Sequence, residues 1–253
     1  MTKQQSPDTN KSNTIDADIY KTSGNSANEP IPPAIPAATV VLLRDGTNGM
    51  EVLMLRKNPK IGFGGMWVFP GGRIDPEDYP ADGDKKIAAR TAAAREAKEE
   101  AGISIDASKF VQFAQWTPPA ITQKRFETAF FAAHAPDQLE IKIDGQEIHA
   151  HQWINPAQAI IMRDKGEIDL VAPTWVTLNT LSKHSTVKLF LKSLEGATVD
   201  VYQTHMNKGE ATNRIVMWAG DAGYEAWDAR VEGPRHRLTM TDDHFIFENT
   251  VES

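Results

Sequence analysis

Gly71-Gly72-Arg73-Ile74-Asp75-Pro76-Glu77-Asp78 and, after a polar loop, Arg95-Glu96-Ala97-Lys98-Glu99-Glu100-Ala101-Gly102-Ile103 decide how this chain reads. From Lys85 to Ala101 the sequence is Ala-rich and free of Pro and Gly, and Gly102 follows where helices commonly end. This predicts a helix over 85–101. Glu96, Glu99 and Glu100 stand at i, i+3 and i+4, and therefore share one helical face. Three like charges there cost helix stability, which Arg95 offsets in part by pairing with Glu99 at i+4. Ala94, Ala97 and Ala101 give a neighbouring side small enough for close packing. One reading is a solvated acidic face. The other is a platform of carboxylate oxygens, the ligands that Mg²⁺ and Mn²⁺ prefer. Such ions bind phosphate oxygens, neutralise developing charge and generate hydroxide from water.

Working outward, Ala38-Thr39-Val40-Val41-Leu42-Leu43 and Glu51-Val52-Leu53-Met54-Leu55-Arg56 read as a hairpin, with Asp45-Gly46 as the turn signal. Met66-Trp67-Val68-Phe69 leads as a short strand into Pro70-Gly71-Gly72, read as a tight turn. Strands are predicted over 110–116, 126–133 and 148–154, with a short one at Glu140-Ile141-Lys142-Ile143. Asn155-Pro156 opens a helix to about Met162, with Asn as cap and Pro in the first turn. Helices at about 173–183 and 186–194 follow, then strands at 198–206, 213–219, 236–240 and 244–249. The mixed order makes the fold α+β or α/β. The composition divides the chain into a disordered, Pro-ending tail (1–36), a first folded unit (37–165) and a C-terminal extension (166–253) that packs on it.

The composition excludes several functions. Lys and Arg number 27 and Asp and Glu 34 in 253 residues, a net charge of −7. That is the wrong sign for a duplex nucleic-acid binder. Cysteine is absent, which removes disulfides, Cys-ligated zinc, iron–sulfur clusters and thiol nucleophiles. No apolar run approaches a membrane span, and the first residues lack the apolar core of a signal peptide. A soluble, cytoplasmic protein with no membrane partner is the expectation. No dinucleotide fingerprint or Walker loop occurs.

The two quoted segments together resemble the Nudix box, G-x5-E-x7-R-E-U-x-E-E-x-G-U with U aliphatic. The second half matches from Arg95 to Ile103. In the first half the expected Glu falls on Asp78. Gly72 to Arg95 spans 23 residues where the pattern has 14, an insertion of nine. The predicted hairpin, Gly-Gly loop and helix follow the order of that family, and the likeness covers about 37–162. It implies a Nudix-type α/β/α sandwich with a mixed sheet. Trp116-Thr117-Pro118-Pro119, Arg125-Phe126-Glu127-Thr128-Ala129-Phe130-Phe131, Asp144-Gly145-Gln146-Glu147-Ile148 and Leu170-Val171-Ala172-Pro173-Thr174 resemble a longer-chain branch that includes animal coenzyme A diphosphatases. The coenzyme A signature of other Nudix diphosphatases is missing, its place taken by Lys60-Ile61-Gly62-Phe63-Gly64-Gly65.

The resemblance implies that Glu96, Glu99 and Glu100 ligate Mg²⁺ or Mn²⁺, and that Arg95 orients a carboxylate. Gly71 and Gly72 would let the backbone approach metal or phosphate. Asp78, shorter than the expected Glu, suits a direct ligand less well. Glu147 is chosen as fourth ligand or general base, over Glu127, Glu140 and Asp144. Arg56 and Arg125 are the candidates for phosphate contact. His149 and His151, which alternate on a strand, read as surface or core histidines, and Trp116 and Trp153 as core more than base-stacking residues. Arg235-His236-Arg237 reads as a solvated strand end. The implied activity is hydrolysis of a diphosphate in a nucleoside diphosphate derivative, with coenzyme A first among small nucleotide-type substrates. The alternative is a non-catalytic Nudix domain that senses a ligand or engages a partner. A homodimer is compatible with either.

Overall fold

The structure is a computed structural model that describes residues 33–251, apart from 63, 121, 123, 137–138, 208–212 and 242. Most of the expected tail, 1–32, lies outside the described residues. Its last part does not stay out of the fold: Ile35 and Pro36 begin strand β1 (Ile35–Gly46) and pair with Phe126 and Glu127.

Strand β1 organises the main sheet. It runs antiparallel to β2 (Gly49–Lys57) through a tight connection, antiparallel to β4 (Gly71–Arg73), and parallel to β6 (Phe126–His134). Strand β2 also pairs with β3 (Trp67–Val68) and β7 (Ile148–Ile154). Beyond β6 lie β5 (Val111–Thr117) and β8 (Asp200–Gln203), the latter parallel to β5. A smaller sheet is built from β9 (His205–Met206), β10 (Arg214–Met217), β11 (His236–Met240) and β12 (Phe245–Asn249).

Both faces of β1 are covered, which is why it reads as a continuous apolar run rather than an alternating one. Ala38, Val40 and Leu42 pack with Leu53 and Leu55 under helix α1 (Lys85–Ala101). Val41 and Leu43 face the opposite cluster. That cluster is capped by α3 (Ala172–Leu181), α4 (Val187–Ser193) and the smaller sheet, with α2 (Pro156–Asp164) alongside. Each fully buried Leu or Val contributes roughly 1.5–3 kcal/mol of apolar burial. The architecture is the expected α/β/α sandwich on a mixed sheet, with α+β structure continuing to the C-terminus. The segment after 165 is not only packed against the sheet, because its β8 is a strand of it.

Local chemistry explains the best-read element. Asp84 caps α1 by accepting from the backbone N–H of Lys86 and Ile87, and Gly102 ends it at φ +70°, the left-handed region glycine tolerates. Three expectations need correction. Residues 140–143 form no strand; they have no regular structure and are tied to the end of α1 by Lys142 N–H to Ala101 O, followed by Asp144 N–H to Glu100 O. Gly71-Gly72 is strand β4 rather than a tight turn, because glycine lets that backbone lie directly on β1. The 235–237 cluster is no solvated strand end. Arg237 is buried and forks onto the fully buried carboxylate of Asp221.

Candidate active site

Helix α1 carries the acids and β4 carries the glycines, and the two meet because β4 sits beside β1 directly under α1. Gly71 N–H donates to Glu100 Oε2 at 3.0 Å. A Cβ on Gly72 would stand 2.2 Å from Glu96 Oε1, so Glu96 lies hard against this backbone. A Cβ on Gly71 would meet Thr39 Oγ1 at 2.1 Å and Ala38 O at 2.5 Å. The two glycines are thus needed for different reasons. Gly72→Ala is expected to displace the movable Glu96 side chain, with activity falling at least ~10-fold and little stability lost. Gly71→Ala presses on backbone and is expected to lower the melting temperature first. Paired thermal melts and turnover measurements check the contrast; equal melting of the two variants would contradict it.

Arg95 is a clamp. Its Nε and Nη2 grip the two oxygens of the buried Asp78 at 3.1 and 2.9 Å, while Nη1 reaches Glu96 and Glu99 at 3.0 Å each. Asp78 also accepts from the Asp75 backbone N–H, so its oxygens are spent on positioning. Burial pushes the Asp78 carboxyl up, but the Arg95 bonds and that N–H win and hold it below the usual range. The same Asp78 bonds, against some desolvation, raise the Arg95 guanidinium further above its ordinary value.

Glu147 joins this group from the chain before β7. Lys57 Nζ bridges Glu147 Oε1 at 2.5 Å and Glu100 Oε1 at 3.4 Å. Burial would lower the Lys57 ammonium, yet Glu100 and Glu147 outweigh it and raise its pKa. The other acids considered for that role sit elsewhere. Asp144 caps the backbone N–H groups of Glu147 and Ile148, Glu140 pairs with Lys142 on the surface, and Glu127 is exposed and does not line the cavity.

Glu100 is pushed up to about 7, first by burial and then by the carboxylates of Glu96 and Glu147, against Lys57 and the Gly71 N–H. Burial likewise raises Glu96 despite Arg95, with Glu99 and Glu147 adding to it. Among the described residues, no three acids converge closely enough to enclose an ion as they stand. The donor set nevertheless suits a hard cation: it is all oxygen, and it carries more negative charge than Lys57 and Arg95 balance.

Most of these groups line one cavity of about 860 Å³; the buried Glu100 is not among its lining residues. Arg95, Glu96, Glu99, Glu147, Gly71 and Gly72 all border it. Arg56 and Arg125 do not. Arg56 is exposed and leans toward Gly65 O, whereas its neighbour Lys57 faces the site. Arg125 fastens a loop through Pro118 O, and its neighbour Lys124 borders the cavity. The signal for Lys57 was present in the sequence. Leu53 and Leu55 share its parity and face α1, while Arg56 shares that of Val52 and Met54 on the opposite face. His149 and His151 are exposed. Trp153 receives the Arg44 guanidinium at 4.4 Å, and Trp116 stacks on Tyr202 at 3.8 Å, buried but bordering the cavity.

The family model for the NUDIX domain matches residues 33–184, more than half of the chain. No curated protein matches it. Among solved structures, a NUDIX hydrolase from Alicyclobacillus acidocaldarius aligns with a TM-score of 0.59 at 21% identity, over 68% of this chain and 99% of that one. A C. elegans Ap4A hydrolase in a binary complex aligns at 0.45 and 21%, over 63% and 99%. The NUDIX domain of Shewanella oneidensis NrtR, complexed with ADP ribose, aligns at 0.46 and 15%, over 62% and 94%. Strand order, box helix and family match agree: the chain belongs to the NUDIX family.

Proposed function

We propose that this chain hydrolyses the diphosphate of a nucleoside diphosphate derivative, with Mg²⁺ or Mn²⁺ held by Glu96, Glu99 and Glu100. The observation that carries this reading is that Glu96, Glu99 and Glu147 border one end of a substrate-sized cavity, with the buried Glu100 held by Gly71 N–H, beside a backbone stripped of side chains at Gly71 and Gly72. The bound ion would polarise phosphate oxygens and lower the pKa of a water molecule. The protein's own groups do the rest. Arg95, fixed on Asp78, holds Glu96 and Glu99 in place. Lys57 steadies Glu147 as fourth oxygen or general base, and with Arg73 and Lys124 supplies the cavity with positive charge for phosphates. A coenzyme A-like molecule is the first-choice substrate. Two motifs that resemble the longer-chain branch, Trp116-Thr117-Pro118-Pro119 and Val171-Ala172-Pro173-Thr174, both border this cavity, which supports that choice.

Incubation with Mg²⁺ or Mn²⁺ and a panel of coenzyme A, NADH, ADP-ribose and nucleotide sugars tests the reading. Monophosphate products are expected, coenzyme A being cut fastest. No product from any member would overturn the activity, and NADH cut while coenzyme A stays intact would overturn the substrate.

The raised Glu100 carboxyl also predicts a pH signature. Its folded pKa of about 7 lies above the ordinary 4.5, so its stabilising contribution is complete below about 4.5 and is lost as pH rises through 7. The metal-free protein should therefore be more stable at pH 6 than at pH 8, by about 1–2 kcal/mol. Mn²⁺ should stabilise it more at pH 8, because cations bind the ionised form. Metal-free melting temperatures equal at the two pH values would contradict this.

A further inference from the structure

Two cations serve the carboxylates of the site, and they are held differently. Arg95 binds both oxygens of the buried Asp78 and also Arg73 O at 2.9 Å, besides Glu96 and Glu99, so it cannot leave without uncovering a buried acid. Lys57 is held less firmly. Among the described residues its ammonium meets only Glu147 Oε1, at 2.5 Å, and Glu100 Oε1, at 3.4 Å. The two bonds are unequal. The close one goes to Glu147, whose side chain is 49% exposed, and the long one to Glu100, whose side chain is 4% exposed. The other Glu100 oxygen already accepts from Gly71 N–H. Glu100 Oε1 is therefore the oxygen more open to a cation, and Lys57 is the cation it faces. Lys57 also borders the cavity, and its long unbranched stem gives the ammonium room to swing.

We propose that Lys57 is a displaceable counter-ion: its ammonium covers Glu100 while no metal is bound, gives that oxygen up to an entering divalent cation, and moves with Glu147 toward the cavity. The proposal rests on the metal assignment above. Its reason is electrostatic. A buried carboxylate with no counter-charge is costly, so the metal-free fold needs Lys57 where it stands. An ammonium and a divalent cation on one enclosed oxygen repel, so the second drives out the first. Arg95 cannot yield, whereas Lys57 can, because its closer partner is half exposed and can follow it. No proton is transferred; one cation replaces another. Lys57 thereby holds the acids together before loading and lowers the affinity for the ion that replaces it.

Acylation of the full chain with acetic anhydride, read lysine by lysine by mass spectrometry, follows the ammonium itself. Mg²⁺ should raise modification of Lys57 by at least ~3-fold, since an amine that has lost one carboxylate partner to a metal reacts more readily. The exposed Lys183 should change little. Mn²⁺ titration of the parent and two variants supplies an independent measure. Lys57→Gln should bind Mn²⁺ ~10-fold more tightly than the parent. Lys57→Arg should bind it several-fold more weakly, because a guanidinium fork grips two carboxylates harder than an ammonium does. A fixed bystander charge would instead leave the Arg variant equal to the parent. Lys57 no more reactive in Mg²⁺, a Gln variant that binds Mn²⁺ no more tightly, or an Arg variant equal to the parent would overturn the proposal while leaving the metal assignment standing. A parent that binds no Mn²⁺ would overturn the metal assignment, and the proposal with it.

Discussion

Glu100→Gln is expected to lower turnover by ~10³-fold or more while leaving the protein folded and, at pH 8, more stable than the parent. On the proposed reading the catalytic loss follows from removing an ionised oxygen ligand at the point where charge develops on the phosphate, where single electrostatic contributors are worth ~10²–10³ in rate or more. The stability gain follows from burial. Glu100 is 3% exposed and surrounded by Glu96 and Glu147, so its charge is a net cost to the metal-free fold. The amide keeps the shape, and its carbonyl can still accept from Gly71 N–H. Stability and activity thus move in opposite directions, as expected where a site stores unfavourable charge for function. Turnover and thermal melts at pH 8 measure both. A variant within tenfold of the parent, or one that melts lower, would contradict this account of Glu100.

Asp221→Ala is expected to cost about 3–5 kcal/mol of stability. Asp221 accepts from Arg237 Nε at 2.7 Å and from the backbone N–H groups of Gly223 and His236 at 2.8 and 2.9 Å. Those bonds outweigh burial and hold its carboxyl below the usual range. Truncation would strand a guanidinium that is almost wholly enclosed, with only Ala229 O left of its partners shown here. The damage would spread, because this ion pair ties the loop after β10 to β11, and β10 carries the Val216 wall of the cavity. Replacing both partners, as in Asp221→Leu with Arg237→Met, should recover much of the loss, since no charge is then left buried alone. Chemical denaturation of the single and double variants checks this; a single variant within 1 kcal/mol of the parent would contradict it.

The parts of the fold legible in the sequence are those fixed by local chemistry. Asp84, the alanine run and Gly102 bound α1 without reference to anything distant, and the acids on it announce a carboxylate face. Strands β7 and β11 end where they were expected to for similar reasons. The features that escaped depend on partners far along the chain. The fate of Arg237 depends on Asp221, sixteen residues away, which turns a basic surface cluster into a buried pair. Glu140-Ile141-Lys142-Ile143 has a strand's composition, but its amides are tied to α1 instead of a ladder. Arg56 and Arg125 each stand one residue from a cation that borders the cavity; within β2 one residue is the difference between two faces, while Arg125 lies in the loop before β6 and is turned to Pro118 O. The contribution of Val216 and Trp218 to the cavity wall had no sequence signal at all, since nothing local to β10 indicates that it lies near Trp116.

The most direct measurement of the central claim is monophosphate release by the parent protein before chelation, after chelation, and after Mn²⁺ or Mg²⁺ is returned. Loss of turnover with the chelator and its recovery with either ion is the predicted result. Turnover that persists undiminished without divalent cations would contradict the assignment of Glu96, Glu99 and Glu100 as metal ligands.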